Sequence, residues 1–319
     1  MLARHAEDLF WAGRYLERAE DTARMLDVTY HGLLEGGSAD EESAWRTLLE
    51  ALHLAHPFYA AHPEISARAV AQFLVADPAQ PSSIIAAIAR ARDNARTVRE
   101  HLSTELWEAL NACFLELRAR DLESELAAQP YELYREIRTR CQMIAGAGSE
   151  TMPRSDPYRF LLLGRLIERA EMTCRMLRVR TARRQARGAF HDFVLVLNSV
   201  SALEAYTRAH GAEIDPARVV AFLLLAPDFP RSVLFCVRGA DNLLAQLEGG
   251  AAIARPRRCL GRIRAELEYQ DADELRAFGE RGVLDRAQAG IWEVAELVEE
   301  SFFASGPAPQ RHIFGSELA

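Results

Sequence analysis

The sequence contains no lysine: all 38 basic residues among its 319 are arginine. Without a side-chain primary amine, Schiff-base chemistry with pyridoxal phosphate or a carbonyl substrate is excluded, and so is a phosphate loop ending in Lys-Ser/Thr. A compositionally biased genome produces the same inventory, and the chemical consequence holds either way. Cysteine is scarce. Cys113, Cys141, Cys174, Cys236 and Cys259 are odd in number and show no C-x-x-C pair, so they read as reduced, mostly buried thiols rather than a disulfide framework or metal knuckle. No stretch reaches the roughly 18 uncharged apolar residues needed to span a bilayer, and Met1 to Phe10 lacks the apolar core of a signal peptide. The expectation is a cytoplasmic protein with no membrane partner. Glycine (18) and proline (13) are spread thinly, which excludes collagen-like and disordered classes. A net charge of −8 argues against a general nucleic-acid binder, which needs a basic surplus.

Strand signals are nearly absent. Apolar residues recur at three and four over most of the length, which predicts an all-α protein. The expected helices lie near 4–35, 41–55, 64–75, 81–103, 104–127, 130–146, 156–186, 189–210, 215–225, 230–248, 256–277 and 280–304. Turn chemistry at Gly36-Gly37-Ser38, Asp77-Pro78, Gly146 to Ser149, Ala226-Pro227 and Gly249-Gly250 separates them. The tail from 306 to 319 has little periodicity and is expected to be mobile.

An internal match organises the chain. GRYLERAEDTARMLDV (Gly13 to Val28) and GRLIERAEMTCRMLRV (Gly164 to Val179) agree at 11 of 16 positions. The match returns with Val70 to Ile84 over Val219 to Val233, then Asp93-Asn94 over Asp241-Asn242. This predicts two duplicated helical halves, 1–150 and 151–305, packed as a multi-helix bundle. A solenoid of short repeats would show a period of 20 to 50 residues.

On a helix, Leu9, Ala12, Gly13, Leu16, Ala19, Ala23, Leu26 and Tyr30 make one apolar stripe, opposite Arg14, Glu17, Arg18, Asp21 and Arg24. Spacings of three and four allow contacts among these charges within the helix. Phe10, Met25 and Val28 share the charged side, so the helix is expected to lie between others with its charges partly buried. The second segment repeats Arg165, Glu168, Arg169 and Arg175 but has Met172 in place of Asp21. Three readings fit: a salt-bridge network joining the halves, an anion site for a carboxylate or phosphate, or an acid/base site in which Glu17 and Glu168 act as general bases tuned by arginines.

A second basic run, Arg90 to His101, carries Arg92, Asn94, Arg96 and Arg99. These could bind an anionic group or make a solvated face. Glu50-x-x-His53 has di-metal spacing, but the second half offers no partner motif, so neither a metal nor a cofactor is expected. The run Thr181 to Arg187 is a short basic patch that suits a helix C-terminus, with RNA contact as the sharper alternative.

The opening LARHAEDLFWAGRYLERAEDTARMLDV, the segment ARDNARTVREHLSTELWEALN and YRFLLLGRLIERAEMTCRMLRV together resemble the bacterial alpha-E family, over about Met1 to Phe303. That family is all-helical and is named for its Glu-Arg motif. The resemblance implies association with circularly permuted ATP-grasp proteins, which form amide bonds through acyl phosphates, and with transglutaminase-like or proteasome-like peptidases. It points to a helical partner of an amide ligase that handles a peptide or amino-acid substrate. Its motif falls here on Arg14, Glu17, Arg18, Arg165, Glu168 and Arg169, with Arg92, Asn94, Arg96 and Arg99 from the middle segment. The alternatives are a scaffold without chemistry and an RNA- or tRNA-binding helical protein.

Overall fold

Helical periodicity and punctuation translate into packed helices in the computed structural model, which describes residues 1–35, 41–182, 189–248, 250–271, 275 and 279–303. The order is α1 (Ala3–Leu34), α2 (Glu41–Ala51), α3 (Ala55–Ala61), α4 (Ala67–Ala71) continued by a π-helical turn (Gln72–Ala76), and α5 (Ile84–Thr97) followed by a 3-10 turn (Arg99–His101). Then come α6 (Thr104–Ala119), α7 (Leu122–Ala128), α8 (Pro130–Thr151), α9 (Asp156–Ala182), α10 (Ala189–Ser199), α11 (Leu203–His210), α12 (Pro216–Leu225) and α13 (Val233–Gln246). A 3-10 turn (Gly250–Ile253), α14 (Ala254–Glu268) and α15 (Arg281–Phe302) close the described chain. The protein is all-α, with no strand among the described residues.

Four expected helices are broken: the 81–103 helix gives way after Thr97 to a 3-10 turn, and three others break through local chemistry. The 41–55 helix is interrupted at His53, whose φ is 56°, and the 189–210 helix at Ser201, with φ 51°. The 104–127 helix stops at Arg120, where the backbone is extended, and restarts as α7 with the Asp121 carboxylate accepting from the Ser124 N–H at 3.2 Å. In the other direction, α8 runs through the expected stop at Gly146 to Ser149 and ends at Thr151. There Gly148 is buried against α6, where a Cβ on it would stand 3.6 Å from the Leu106 side chain, so tertiary packing outweighs the glycines' weak helix propensity. The Gly36-Gly37-Ser38 turn, Gly249, Arg183 to Arg187 and the 306–319 tail lie outside the described residues.

Helix α1 packs against α5, α8 and α9, and α9 packs in turn against α13 and α15. Helix α6 bridges α5 and α8 as α14 bridges α13 and α15, while α1 reaches α10 and α9 reaches α2. As its apolar positions on both faces foretold, α1 is enclosed, and α9 shares that position. One continuous apolar core runs through both sets, across the expected division at residues 150 and 151. The serines ahead of α5 and α13 do the same work. Ser83 Oγ accepts from the Ala86 N–H (3.3 Å) and donates to the Asp77 carbonyl (2.6 Å). Ser232 Oγ accepts from the Phe235 N–H (3.1 Å) and donates to the Ala226 carbonyl.

Candidate functional site

Two mid-helix glycines position the charged cluster. A glycine inside a helix costs about 1 kcal/mol relative to alanine, so it calls for a packing reason. A Cβ on Gly13 would stand 2.0 Å from the Leu161 carbonyl oxygen, and one on Gly164 would stand 2.0 Å from the Phe10 carbonyl oxygen. The backbones of α1 and α9 therefore touch, each glycine receiving the other helix's carbonyl. Residues on either side of the crossing are forced into facing pairs.

The Glu-Arg motifs fill those positions reciprocally. Glu17 of α1 accepts from Arg169 Nε at 2.6 Å and Nη2 at 3.0 Å, and from Arg165 Nη2 at 2.8 Å and Nε at 3.0 Å. Glu168 of α9 accepts from Arg14 Nε at 2.6 Å and from Arg18 Nε at 2.7 Å and Nη2 at 3.1 Å. The charges predicted to pair within one helix thus pair mainly across the crossing, because the glycine contact brings the second helix nearer than the next turn. Both glutamates are sealed, at 0% and 1% exposure.

A second tier surrounds the first. Glu20 binds Arg24 within α1, Glu171 binds Arg175 within α9, and Arg14 Nη2 also donates to Glu171 at 2.5 Å. Gln142 of α8 donates to Glu20 at 3.4 Å, and Trp292 of α15 donates to Glu171 at 2.8 Å. Arg24 also reaches Ser201 Oγ at 2.6 Å. One arginine has no counterpart in this pattern. Arg231, just ahead of α13, donates to Asp21 at 2.5 Å and Glu20 at 2.7 Å and stands 3.3 Å from Glu17. Sequence reasoning singled out neither Arg231 nor the glutamates Glu20 and Glu171. The repeated Glu-Arg-Ala-Glu was the signal for the glutamates, and the Pro230-Arg231-Ser232 alignment over Pro81-Ser82-Ser83 was the signal for Arg231.

The electrostatics follow from this wiring. Burial pushes the Glu168 carboxyl up, but Arg18 and Arg14 outweigh it and bring it down to about 2. Burial acts likewise on Glu17, where Arg169, Arg165 and Arg231 hold it well below the carboxylate range. Asp21 goes the other way. Burial raises it to about 6, with Arg231 opposing and Glu17 and Glu20 assisting. Burial also draws Arg175 down to about 9 against the pull of Glu168.

This geometry gives no support to Glu17 and Glu168 as general bases. An enclosed carboxylate whose oxygens are held by guanidiniums, with a depressed pKa, is a poor proton acceptor and offers no face to a substrate amine. Nor do Arg14, Arg18, Arg24, Arg165, Arg169 and Arg175 stand ready for an external anion, since each is engaged with a carboxylate of the chain.

The middle-segment residues form a separate group. Arg92 donates to Asn111 Oδ1 at 3.1 Å and lies 5.7 Å from the Trp107 ring and 5.1 Å from that of Phe114. Arg99, on the 3-10 turn, lies 5.5 Å from Trp107, whereas Arg96 is exposed beside Asp93 at 3.8 Å. Asn94 is half-buried on α5. The expected row is therefore an arginine–aromatic surface rather than part of the crossing. His53 lies against Trp292, its pKa pushed down to about 4 by burial and by Arg175 and Arg178, a field that disfavours a cation at Glu50-x-x-His53.

Residues 1–303 match the model of a family described as a predicted alpha-helical domain with a conserved ER motif. The chain is 27% identical over 307 residues to an uncharacterized protein of Mycobacterium bovis and to uncharacterized proteins of two Mycobacterium tuberculosis strains. The match covers 89% of this chain but 34% of each relative, so the chain spans about a third of the length of the curated relatives it matches. No solved structure matches it. No helix among the described residues is long and apolar enough to cross a membrane.

Proposed function

This chain belongs to the Alpha-E family, and we propose that it is a cytoplasmic helical scaffold working beside an ATP-grasp-type amide ligase, its Glu-Arg motif acting as an internal clasp. The observation that carries the structural part is the reciprocity of the motif. Arginines of α9 hold the glutamate of α1, and arginines of α1 hold that of α9. Charges spent in this way fix the orientation of two long helices and are unavailable to a ligand. We read the two helix sets as duplicated halves locked at this crossing.

The ligase part rests on the family resemblance and on the relatives' architecture. In them the matching region is about a third of the chain, as suits a module that works with other domains. ATP binding and acyl-phosphate formation would belong to the partner, which delivers a peptide or amino-acid substrate. A transglutaminase-like peptidase would act in the same system. Anion contact falls to Arg92 and Arg99 beside Trp107 and the exposed Arg96 rather than to the clasp.

The test is purification under mild conditions from native cells, with bound proteins identified by mass spectrometry, followed by an ATP-dependent amide-formation assay with and without this chain. Co-purification of an ATP-grasp protein whose output falls without the chain is the expected result. A folded chain with no such partner, or ligase output indifferent to it, overturns the proposal. Glu17→Gln separates scaffold from chemistry. Output recovered at low temperature, where the variant is folded, fits the clasp, whereas a folded variant with output lost returns Glu17 to a catalytic role.

A further inference from the structure

The first turn of α1 and the 3-10 turn after α5 lie side by side because these helices run antiparallel. Arg90 of α5 sits 5.8 Å from the Tyr15 ring, and further along the same pairing His101 meets His5. His5 Nδ1 and His101 Nε2 are 3.0 Å apart, and Glu100 Oε1 is 3.7 Å from His101 Nε2 and 4.0 Å from His5 Nδ1. Among the described residues this is the one group of three or more histidine, cysteine or acidic side chains with ligand atoms close enough to share an ion. Residues separated by 96 positions leave no local motif, so no sequence pattern announces them.

We propose that His5, Glu100 and His101 bind a divalent transition-metal ion of the zinc class. Imidazole nitrogens coordinate zinc at about 2.0–2.1 Å, so two of them on one ion stand about 2.9–3.4 Å apart between right-angled and tetrahedral geometry. The observed separation falls inside that range. Two imidazoles and a carboxylate, without thiolate, suit zinc and its borderline neighbours rather than calcium or magnesium, which take oxygen ligands. Glu100 is 61% exposed, so its carboxylate is free to swing inward and close the triangle. Asp8, one turn beyond His5, has a buried Oδ2 with no hydrogen-bond partner and interacts electrostatically with Arg4 and His5. Without an ion, the two rings share one hydrogen bond, the tautomers setting which nitrogen donates. With one, three protein ligands leave a fourth position for water or an anionic oxygen. The ion would also join the start of α1 to the α5–α6 connection. This site is independent of the clasp and of the ligase proposal.

The test uses the full chain with its purification tag removed and its metal stripped by chelation. Cobalt(II) is titrated while its visible absorption is followed, and zinc(II) binding is measured by calorimetry. The expected result is one ion per chain, visible cobalt bands of low coordination number, and a rise in Tm on zinc addition. His5→Ala and His101→Ala should each weaken zinc on the order of a hundredfold, and Glu100→Gln, at an exposed position that tolerates change, about tenfold. All three should melt as the stripped wild type does. Failure of the stripped chain to bind zinc at micromolar concentration overturns the proposal, as does equal zinc affinity in folded Glu100→Gln, His5→Ala and His101→Ala.

Discussion

The two arms of the clasp match in sequence yet differ in strength. Glu168 is held by two arginines, Arg14 and Arg18, both from one helix. Glu17 is held by Arg165 and Arg169 and faces a third, Arg231. The alignment explains the extra partner. Where the first segment has Asp21 the second has Met172, and where the second set has Arg231 the first has Ser82. Crossing the chain, Asp21 goes with Arg231 and Met172 goes with Ser82, so an acid and its arginine are present together or absent together. A buried charge is kept only where its partner is kept, because an unpaired one is expensive.

The strongest way to break both arms at once is through the glycines they share. Gly13→Ala and Gly164→Ala each place a methyl 2.0 Å from a backbone oxygen, so the helices must separate and the ion pairs open. Loss of the cooperative urea transition, or destabilisation by more than about 4 kcal/mol, is expected for both. A folded Gly13→Ala with an unchanged midpoint would refute the tight crossing. Next, Glu17→Gln and Glu168→Gln keep the shape and remove the charge. Each should cost about 3–5 kcal/mol, with Glu17→Gln the larger because Arg165 and Arg169 lose their main carboxylate and Arg231 a neighbouring one, whereas after Glu168→Gln Arg14 keeps Glu171. Equal costs in urea denaturation would mean that Arg231 contributes nothing to this arm.

A finer comparison exchanges one arm's chemistry for the other's. Asp21→Met and Arg231→Ser recreate on the first arm what the second arm already carries. Each alone should destabilise, and the double variant should lose less than the sum, with a coupling of about 1–3 kcal/mol. Additive losses would show that Arg231 works through Glu20 and Glu17 alone.

Much of this was legible in the chain before any coordinates. The all-α class, the ends of α1 and α12, and the enclosure of α1 follow from periodicity and from apolar residues on both of its faces. The Glu-Arg cluster was visible, but its partners were not. Spacings of three and four point along one helix, whereas a glycine that lets another backbone approach points across to a helix some 150 residues away, and no local pattern encodes that choice. Helix breaks at His53 and Ser201 were missed because neither is the glycine that usually marks a left-handed position, although histidine is among the non-glycine residues enriched there. Trp107 joining Arg92 to Arg99, and His5 meeting His101, likewise depend on how α5 and α6 return past α1.

The smallest expected effect is a pH dependence confined to one arm. Asp21 titrates near 6 when folded and near 3.8 when unfolded, so between these values the folded chain binds the extra proton. Stability from this group is therefore fully present below about pH 3.8 and is lost as pH rises through 6. Glu168, lowered from 4.5 to about 2, and Glu17, lower still, behave oppositely. Their stabilisation is present above pH 4.5 and is lost as pH falls toward 2. Between pH 7 and pH 5 Asp21 thus adds on the order of 1 kcal/mol, while His53, lowered from 6.5 to about 4 by folding, removes on the order of 2 kcal/mol over the same window. Below pH 4 the glutamates add a steep further loss. Asp21→Met should therefore fall more steeply than wild type from pH 7 to pH 5, by on the order of 1 kcal/mol, and leave the acid limb in place, because Met172 already makes the second arm silent near neutrality. Urea midpoints of wild type and Asp21→Met at pH 7, 6 and 5 decide it: a difference between the two that does not change with pH would place the titrating group elsewhere and remove this asymmetry between the arms.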